Sequence, residues 1–265
     1  DWDSVVGSLR LLAPLGAERS HVVYGGLSQG FRAPNLSDLT RLDVARSDEI
    51  ETPVDNLEPE RFVSAELGAR YDDGRRSVEI AGYYTWIEDL IVRAPTGEIV
   101  DELREVTKKN AGEGYVAGVE VTLGWQVADD WHLRLSGSWM EGKVDAYPTS
   151  EPVAVRDYIS RLMPLTGQAA VRWQPMGQPF WLEAVVDAAE KATRLSADDK
   201  RDGQRIPPGG TPGYAVLTLR GGMTVRDDLR LTVALENVAD EDYRIHGSGV
   251  NEPGRNLVVQ AEWTF

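Results

Sequence analysis

Eleven runs of residues that alternate apolar with polar are joined by connections of two very different lengths, and this constrains the chain more than any single motif. Tight turns near Gly16, Gly74, Asp129, Gly177 and Asp227 alternate with long polar connections over about 32–57, 94–113, 142–163, 188–212 and 239–254. Period two is the signature of strands with two unlike faces. The carboxyl-terminal run is the plainest case. Leu257, Val259, Ala261, Trp263 and Phe265 are apolar, while Asn256, Gln260, Glu262 and Thr264 lie between them.

The same pattern repeats upstream. Val5, Gly7, Leu9 and Leu11 alternate before a turn expected at Pro14-Leu15-Gly16-Ala17, and a second strand is expected from about His21 to Phe31. Val63 to Tyr71 and Val78 to Trp86 flank Asp72-Asp73-Gly74, a strong hairpin signal. Ala117 to Trp125 and Trp131 to Trp139 flank Ala128-Asp129-Asp130, and the alternation recurs over about 165–186, 215–235 and 255–265. A soluble sandwich also alternates its faces, but nothing makes it gather tight turns at one end and long loops at the other. Outer-membrane barrels do, with short periplasmic turns and long extracellular loops. Trp86, Trp125, Trp131, Trp139, Trp173, Trp181 and Trp263 lie near strand ends or turns, where two interfacial girdles would account for most of them.

The expected fold is therefore all-β, an antiparallel up-and-down transmembrane β-barrel of which eleven strands are visible. An odd count leaves a single-chain bacterial barrel unclosed. The chain also opens at Asp1 as though inside a strand, so an amino-terminal part is expected to be missing. There is no apolar run of about 18 residues for a transmembrane helix. The absence of cysteine removes disulfides and thiolate metal sites, and His21, His132 and His246 have no metal-ligand spacing. A net charge of -15 argues against a nucleic-acid partner. No nucleophile, base and orienter stand together and no G-x-S-x-G elbow is present, which argues against an enzyme. No cofactor is expected.

Several short stretches, in order, carry a family likeness: Gly30-Phe31-Arg32-Ala33-Pro34-Asn35, Asn56-Leu57-Glu58-Pro59-Glu60, and Asn110 to Gly118-Val119-Glu120. Leu235-Glu236-Asn237-Val238, Asp242-Tyr243, Pro253-Gly254-Arg255 and the terminal Phe265 continue the series. Together they resemble the carboxyl-terminal part of TonB-dependent outer-membrane receptors. The resemblance implies that residues 1–265 are the carboxyl-terminal half of a barrel of about 22 strands whose lumen is plugged. It also implies active uptake of a scarce small-molecule ligand such as a ferric siderophore or cobalamin. The implied setting is the outer membrane, crossed many times, with lipid, the TonB complex acting through a plug not seen here, and the barrel-assembly machinery as partners. A passive porin or structural barrel without a specific ligand is the alternative, and a soluble β-rich binding module a third reading.

Candidate residues follow from position. Arg32 and Asn35 stand at a strand top, where a guanidinium could meet an anionic ligand; Pro34 can equally be strand punctuation, with Arg32 paired to a loop carboxylate. Tyr147, Tyr158 and Tyr243 could stack on a ligand or anchor at the interface. Asp38, Asp43, Asp48, Glu49 and Glu51, and Asp198, Asp199 and Asp202, read as solvated loop carboxylates, with a calcium site as the sharper possibility. Glu120, Arg134, Arg172, Arg220, Arg230, Glu236 and Glu262 fall on the wet face, where they would contact a plug or set the charge of a pore. By the resemblance, Phe265 is the aromatic end that the assembly machinery reads.

Overall fold

The computed structural model describes residues 2–16, 20–46 and 48–265. Among them, fourteen strands and two five-residue helices follow one another: β1 (Ser8–Leu15), β2 (His21–Arg32), α1 (Leu36–Thr40), β3 (Asp43–Arg46), β4 (Glu49–Glu51), β5 (Glu60–Asp72), β6 (Arg76–Val100), β7 (Leu103–Ala128), β8 (Trp131–Ala146), β9 (Val155–Tyr158), β10 (Thr166–Trp173), β11 (Phe180–Ala189), α2 (Ala197–Arg201), β12 (Tyr214–Arg226), β13 (Leu229–Glu236) and β14 (Asn256–Trp263). Eleven of the strands form one sheet in sequential order, β1-β2-β5-β6-β7-β8-β10-β11-β12-β13-β14, with every neighbouring pair antiparallel. The remaining three, β3, β4 and β9, belong to the long connections. Among the described residues, β1 and β14 each have one sheet neighbour, so the sheet is open.

The alternation sorts the two faces as expected. Leu27, Leu67, Ile80, Val121, Val171, Leu182, Leu219, Val233 and Val259 lie exposed on one of them. An exposed apolar face of this extent belongs against hydrocarbon rather than water. On β8, Trp131 and Trp139 bracket this face. The eight residue steps from one to the other span about 27 Å at ~3.4 Å per residue, close to the ~25 Å apolar band of outer-membrane barrels. Trp131 stacks on Trp173 with 6.2 Å between centroids, and Phe180 meets Trp173 edge-on at 5.8 Å, continuing the belt at the short-turn end. Trp181 departs from the girdle expectation. It shares the opposite, polar face with Glu183 and lies beneath the Arg172 guanidinium, 4.2 Å from its ring centroid.

On that polar face two tyrosines lie flat over glycines of the next strand. Tyr24 is paired with Gly68 and Tyr83 with Gly118, and a Cβ at either glycine would run into the phenol ring. The glycines are there because a neighbouring ring occupies their side-chain space. Tyr24 then donates to Glu79 at 2.9 Å.

Residues 94–113, expected as a loop, are instead paired backbone. β6 and β7 run on for 25 and 26 residues, roughly 80 Å each at ~3.3 Å per residue, where crossing a bilayer takes only about 9–11 residues. Pro95 and Gly97 conceal the strand in the sequence, and the structure accommodates them with a shift in register between Pro95 and Ile99. The hairpin closes on Asp101 and Glu102, both at positive φ, 51° and 66°. That is the backbone of a two-residue primed turn, built here without glycine. At the other end of the chain, β1 extends through Pro14, which the sequence placed in a turn. Pro14 sits one residue before the end of β1, where the ladder donor that it lacks falls at the strand's margin. Ala17, the last residue of that expected turn, lies outside the described residues.

Glu102→Gly should relieve the left-handed strain and stabilise the closed hairpin tip by about 1 kcal/mol. The measurement is hydrogen exchange of the amides flanking the turn, which should slow roughly fivefold.

Candidate functional site

The long connections are fastened to the tall hairpin by buried charges. β4 lies parallel to β7, pairing Glu49 with Arg104 and Glu51 with Val106. Both glutamates are shut off from solvent, at 0% and 2% exposure. Arg93 of β6 reaches Glu49 at 2.5 Å and the Ser150 hydroxyl donates to it at 2.6 Å. Lys108 and Arg41 stand 3.5 and 3.6 Å from the Glu51 carboxylate. These two acids are therefore neither solvated nor free to bind calcium. Their burial holds only because cations from other segments accompany them.

Arg32 is committed in the same way. Its Nε and Nη2 both donate to Glu60 at 2.6 Å and its Nη1 to Asp38 at 2.8 Å, while Glu60 also accepts from the Ile91 amide at 3.0 Å. Asn35 caps α1: its side chain accepts from the Asp38 amide at 2.9 Å and Asp38 accepts from the Asn35 amide at 3.1 Å. Burial pushes the Asp38 carboxyl up, but the Arg32 guanidinium and the Asn35 amide outweigh it and hold it below the usual range. Arg32 and Asn35 thus shape the loop from within.

A second clamp joins three other loops. Asp199 of α2, 1% exposed, accepts from the Ser160 hydroxyl at 2.7 Å and from the amides of Arg161 and Ser196 at 3.0 Å each. Its carboxyl is pushed up by burial and brought below its ordinary value by those donors. Beside it, His246 is buried, shares a 2.9 Å hydrogen bond between Nδ1 and the Thr211 hydroxyl, and has no partner for Nε2 among the described residues. Burial lowers its pKa; Asp199 opposes that and Arg161 reinforces it.

Between the hairpin and the second clamp is a cleft of about 460 Å³. Ile87, Leu90 and Val92 of β6 and Val144 of β8 give it an apolar floor, Tyr147, Tyr158 and Ile159 form one side, and Arg93, Lys108, Asp157, Asp198 and Arg201 stand around it. Tyr158 is backed by Lys143, whose Nζ is 5.0 Å from the ring centroid. Arg93 also donates to the Tyr147 carbonyl at 3.1 Å, and Arg201 donates to the Pro148 carbonyl at 2.6 Å and pairs with Asp198. An apolar floor with an aromatic side and a polar rim suits a small amphiphilic ligand. Tyr147 and Tyr158 meet here. Tyr243 does not: it packs on Tyr214 at 4.6 Å, above β12.

Glu120, Arg134, Arg172, Arg220, Arg230, Glu236 and Glu262 share the polar face by strand register. Arg134 and Arg220 converge on Glu183, each at 2.5 Å, while Arg230 and Glu262 pair at 4.0 Å. Sequence reasoning missed Glu183, although its place two residues from Trp181 on the wet face of an alternating strand could have flagged it. Arg93 was missed because it lies between the expected strand end at Trp86 and the expected loop over 94–113, in a stretch given no role. Phe265 is fully exposed beyond the end of β14.

A family model described as TonB dependent receptor-like, beta-barrel matches residues 13–238. No curated protein sequence matches. Among solved structures, the copper transporter OprC superimposes with a TM-score of 0.75 at 17% identity, covering 98% of this chain and 39% of its own. A variant of the ferric enterobactin receptor PfeA from Pseudomonas aeruginosa gives 0.72 at 19%, covering 98% and 40%, and the FrpB iron transporter from Neisseria meningitidis 0.71 at 15%, covering 98% and 39%. The chain thus spans about two fifths of the length of these structures, and at such identities the likeness is one of fold.

Because His246 is held below its ordinary pKa, the opened loops take up a proton more readily than the clamped ones as pH falls below about 6.5. The clamp should therefore loosen from that point towards the lower folded-state value. Hydrogen exchange of the amides in 196–213, corrected for intrinsic rate, should show this increase between neutral pH and about pH 5.5, and His246→Gln should abolish the pH dependence.

Proposed function

Because the chain belongs to the TonB dependent receptor-like β-barrel family, we propose that it forms one wall of an outer-membrane receptor that actively imports a small-molecule ligand such as a transition-metal chelate. The observation that carries this reading is the cleft at the long-loop end, lined by Tyr147 and Tyr158 and held open by buried ion pairs. A passive pore has no need to fix its outer loops with charges that are costly to bury. A receptor that must hold a dilute ligand benefits from a pre-formed cleft, because rigid walls lower the entropy lost on binding.

In this reading Tyr158 is a ligand platform, pre-oriented by Lys143, and Tyr147 closes the cleft from above. Further strands of the barrel pair with the free edges of β1 and β14, since no edge can remain open in hydrocarbon. Energy comes from TonB, acting through a plug that fills the barrel. The polar face, with Glu120, Arg134, Arg172, Arg220, Arg230, Glu236 and Glu262, looks onto that plug. Phe265 serves as the assembly signal.

The test uses a receptor-deficient bacterial strain expressing the full-length receptor and supplied with ferric catecholate, ferric hydroxamate or copper chelates as probes. At least one probe should be accumulated in a TonB-dependent manner. Tyr158→Ala should weaken binding of that probe about tenfold, for an aromatic contact worth ~1.4 kcal/mol. Entry of probes at equal rates with and without TonB would replace this reading with the passive porin. Separately, Phe265→Ala should lower the yield of heat-modifiable, folded receptor in outer-membrane fractions while leaving total synthesis unchanged.

A further inference from the structure

The apolar face is not evenly filled along the sheet. Across β10 to β13 the register sets two small residues among large ones: Ala184 lies between Val171 and Leu219, and Gly221 between Leu182 and Val233. They form the floor of a groove of about 780 Å³ in this face. Leu182 leans over its edge, so close to Gly221 that a Cβ there would stand 2.8 Å from the leucine Cδ2. One end of the groove opens at the aromatic belt of Trp131, Trp173 and Phe180.

Its length and its mouth are both informative. On β13 the groove runs from Leu231 to Leu235, four residue steps or about 14 Å at ~3.4 Å per residue, roughly half of the ~25 Å apolar band. It therefore reaches through one leaflet, the one at the short-turn end. The turns around its mouth, at 129–130, 174–179 and 226–228, contain Asp129, Asp130, Asp227 and Asp228 but a single cation, Arg226, which is paired with Asp228 at 3.2 Å. Negative charge is in excess where a headgroup would lie.

We propose that the groove holds one acyl chain of a phospholipid whose headgroup carries a primary ammonium, a phosphatidylethanolamine, with that ammonium set against the acid-bearing turns. The inference rests on the reading of this chain as an outer-membrane wall whose short turns face the periplasm. The groove is continuous with the face that lies against hydrocarbon, so a chain enters it without leaving the bilayer. Left unfilled, it would forfeit the dispersion contacts of its lining, and a single chain laid along the Ala184 and Gly221 floor restores them on both sides. Tryptophans at its mouth lie at the level of the headgroups, where indoles are favoured. A second copy of this chain is the poorer occupant, because its own acidic turns would come to rest beside these, and an anionic phospholipid meets the same repulsion.

The experiment uses the full-length receptor extracted in a mild non-ionic detergent and titrated with palmitoyl-oleoyl phosphatidylethanolamine or palmitoyl-oleoyl phosphatidylglycerol, bound lipid being counted by native mass spectrometry. The first lipid bound should be phosphatidylethanolamine, held several-fold more tightly than phosphatidylglycerol. Ala184→Phe, which fills the floor from an outward-facing position, should weaken that first step about tenfold, as expected for the loss of a few buried methylenes. Ala184→Leu should weaken it by a smaller factor and serves if the larger ring prevents assembly. Asp227→Lys should remove the preference between the two lipids. An unchanged first step in both Ala184 variants, equal retention of the two lipids by the unmodified receptor, or a dimer that Ala184→Phe disrupts would overturn the inference. Cell fractionation separates the two failures. A receptor found in the outer membrane without a specific lipid step sinks this proposal alone, while one recovered without detergent in the soluble fraction sinks the membrane reading with it.

Discussion

Hydrocarbon offers no hydrogen bonds, so a backbone that passes through it must satisfy every N–H and C=O group from its own neighbours. The eleven-strand ladder follows from that requirement. Pairing runs from Ser8 against Ser28 at one edge to Leu229 against Trp263 at the other, with few register shifts in the zone bracketed by the tryptophans. Irregularity lies outside that zone, above it around Ile87 to Ile91 and Pro95 to Ile99 and at the short-turn end at Gln126/Ala128 and Thr224/Arg226, where water can take over any unmet group. The apolar face costs nothing to expose in lipid, so these strands need no second layer to cover it. Close packing matters instead on the polar face, as the seating of Tyr24 on Gly68 shows.

Above the ladder the stabilising logic changes. The loops bury apolar side chains such as Leu57, Leu162, Leu195 and Ile206, and beside them buried carboxylates act as organising centres. Glu49, Glu51, Glu60 and Asp199 each gather donors from segments remote in sequence. Breaking such a set by removing one partner is expensive, because it strands a charge away from water. The arrangement therefore gives long connections a definite shape at modest intrinsic stability. That is what a cleft needs if its walls, Ile87 on one side and Tyr158 on the other, are to keep their spacing.

Much of this fold was legible from alternation alone, because one lipid face and one wet face impose period two on every strand. The eleven sheet strands, the tight turns at Gly74 and Asp129, and the sharing of one face by Arg134, Arg172 and Arg220 all follow from counting by two. What stayed hidden has a physical reason in each case. The upper halves of β6 and β7 are covered by other loops rather than by lipid, with Ala94 and Val106 buried, so no strict alternation marks them, and Pro95 and Gly97 read as loop. Glu49 and Asp199 look like any acidic loop residue, since burial of a charge depends on which cation the tertiary structure brings to it. Tyr147 and Tyr158 could be proposed as aromatics near loops, but their convergence, and the exclusion of Tyr243, depends on how β9 folds back on β8.

The height of the β6–β7 hairpin has an immunological side. Among the described residues, its tip, Ile99 to Leu103, stands farther along a continuous ladder than any other strand end, and it closes on two exposed residues, Asp101 and Glu102. In the proposed receptor, whose long loops face the medium, antibodies and phage would meet this tip before the cleft. Substitutions there leave the clamps at Glu49 and Glu51 untouched, so the segment most open to attack is also the one freest to vary without loss of the site beneath it.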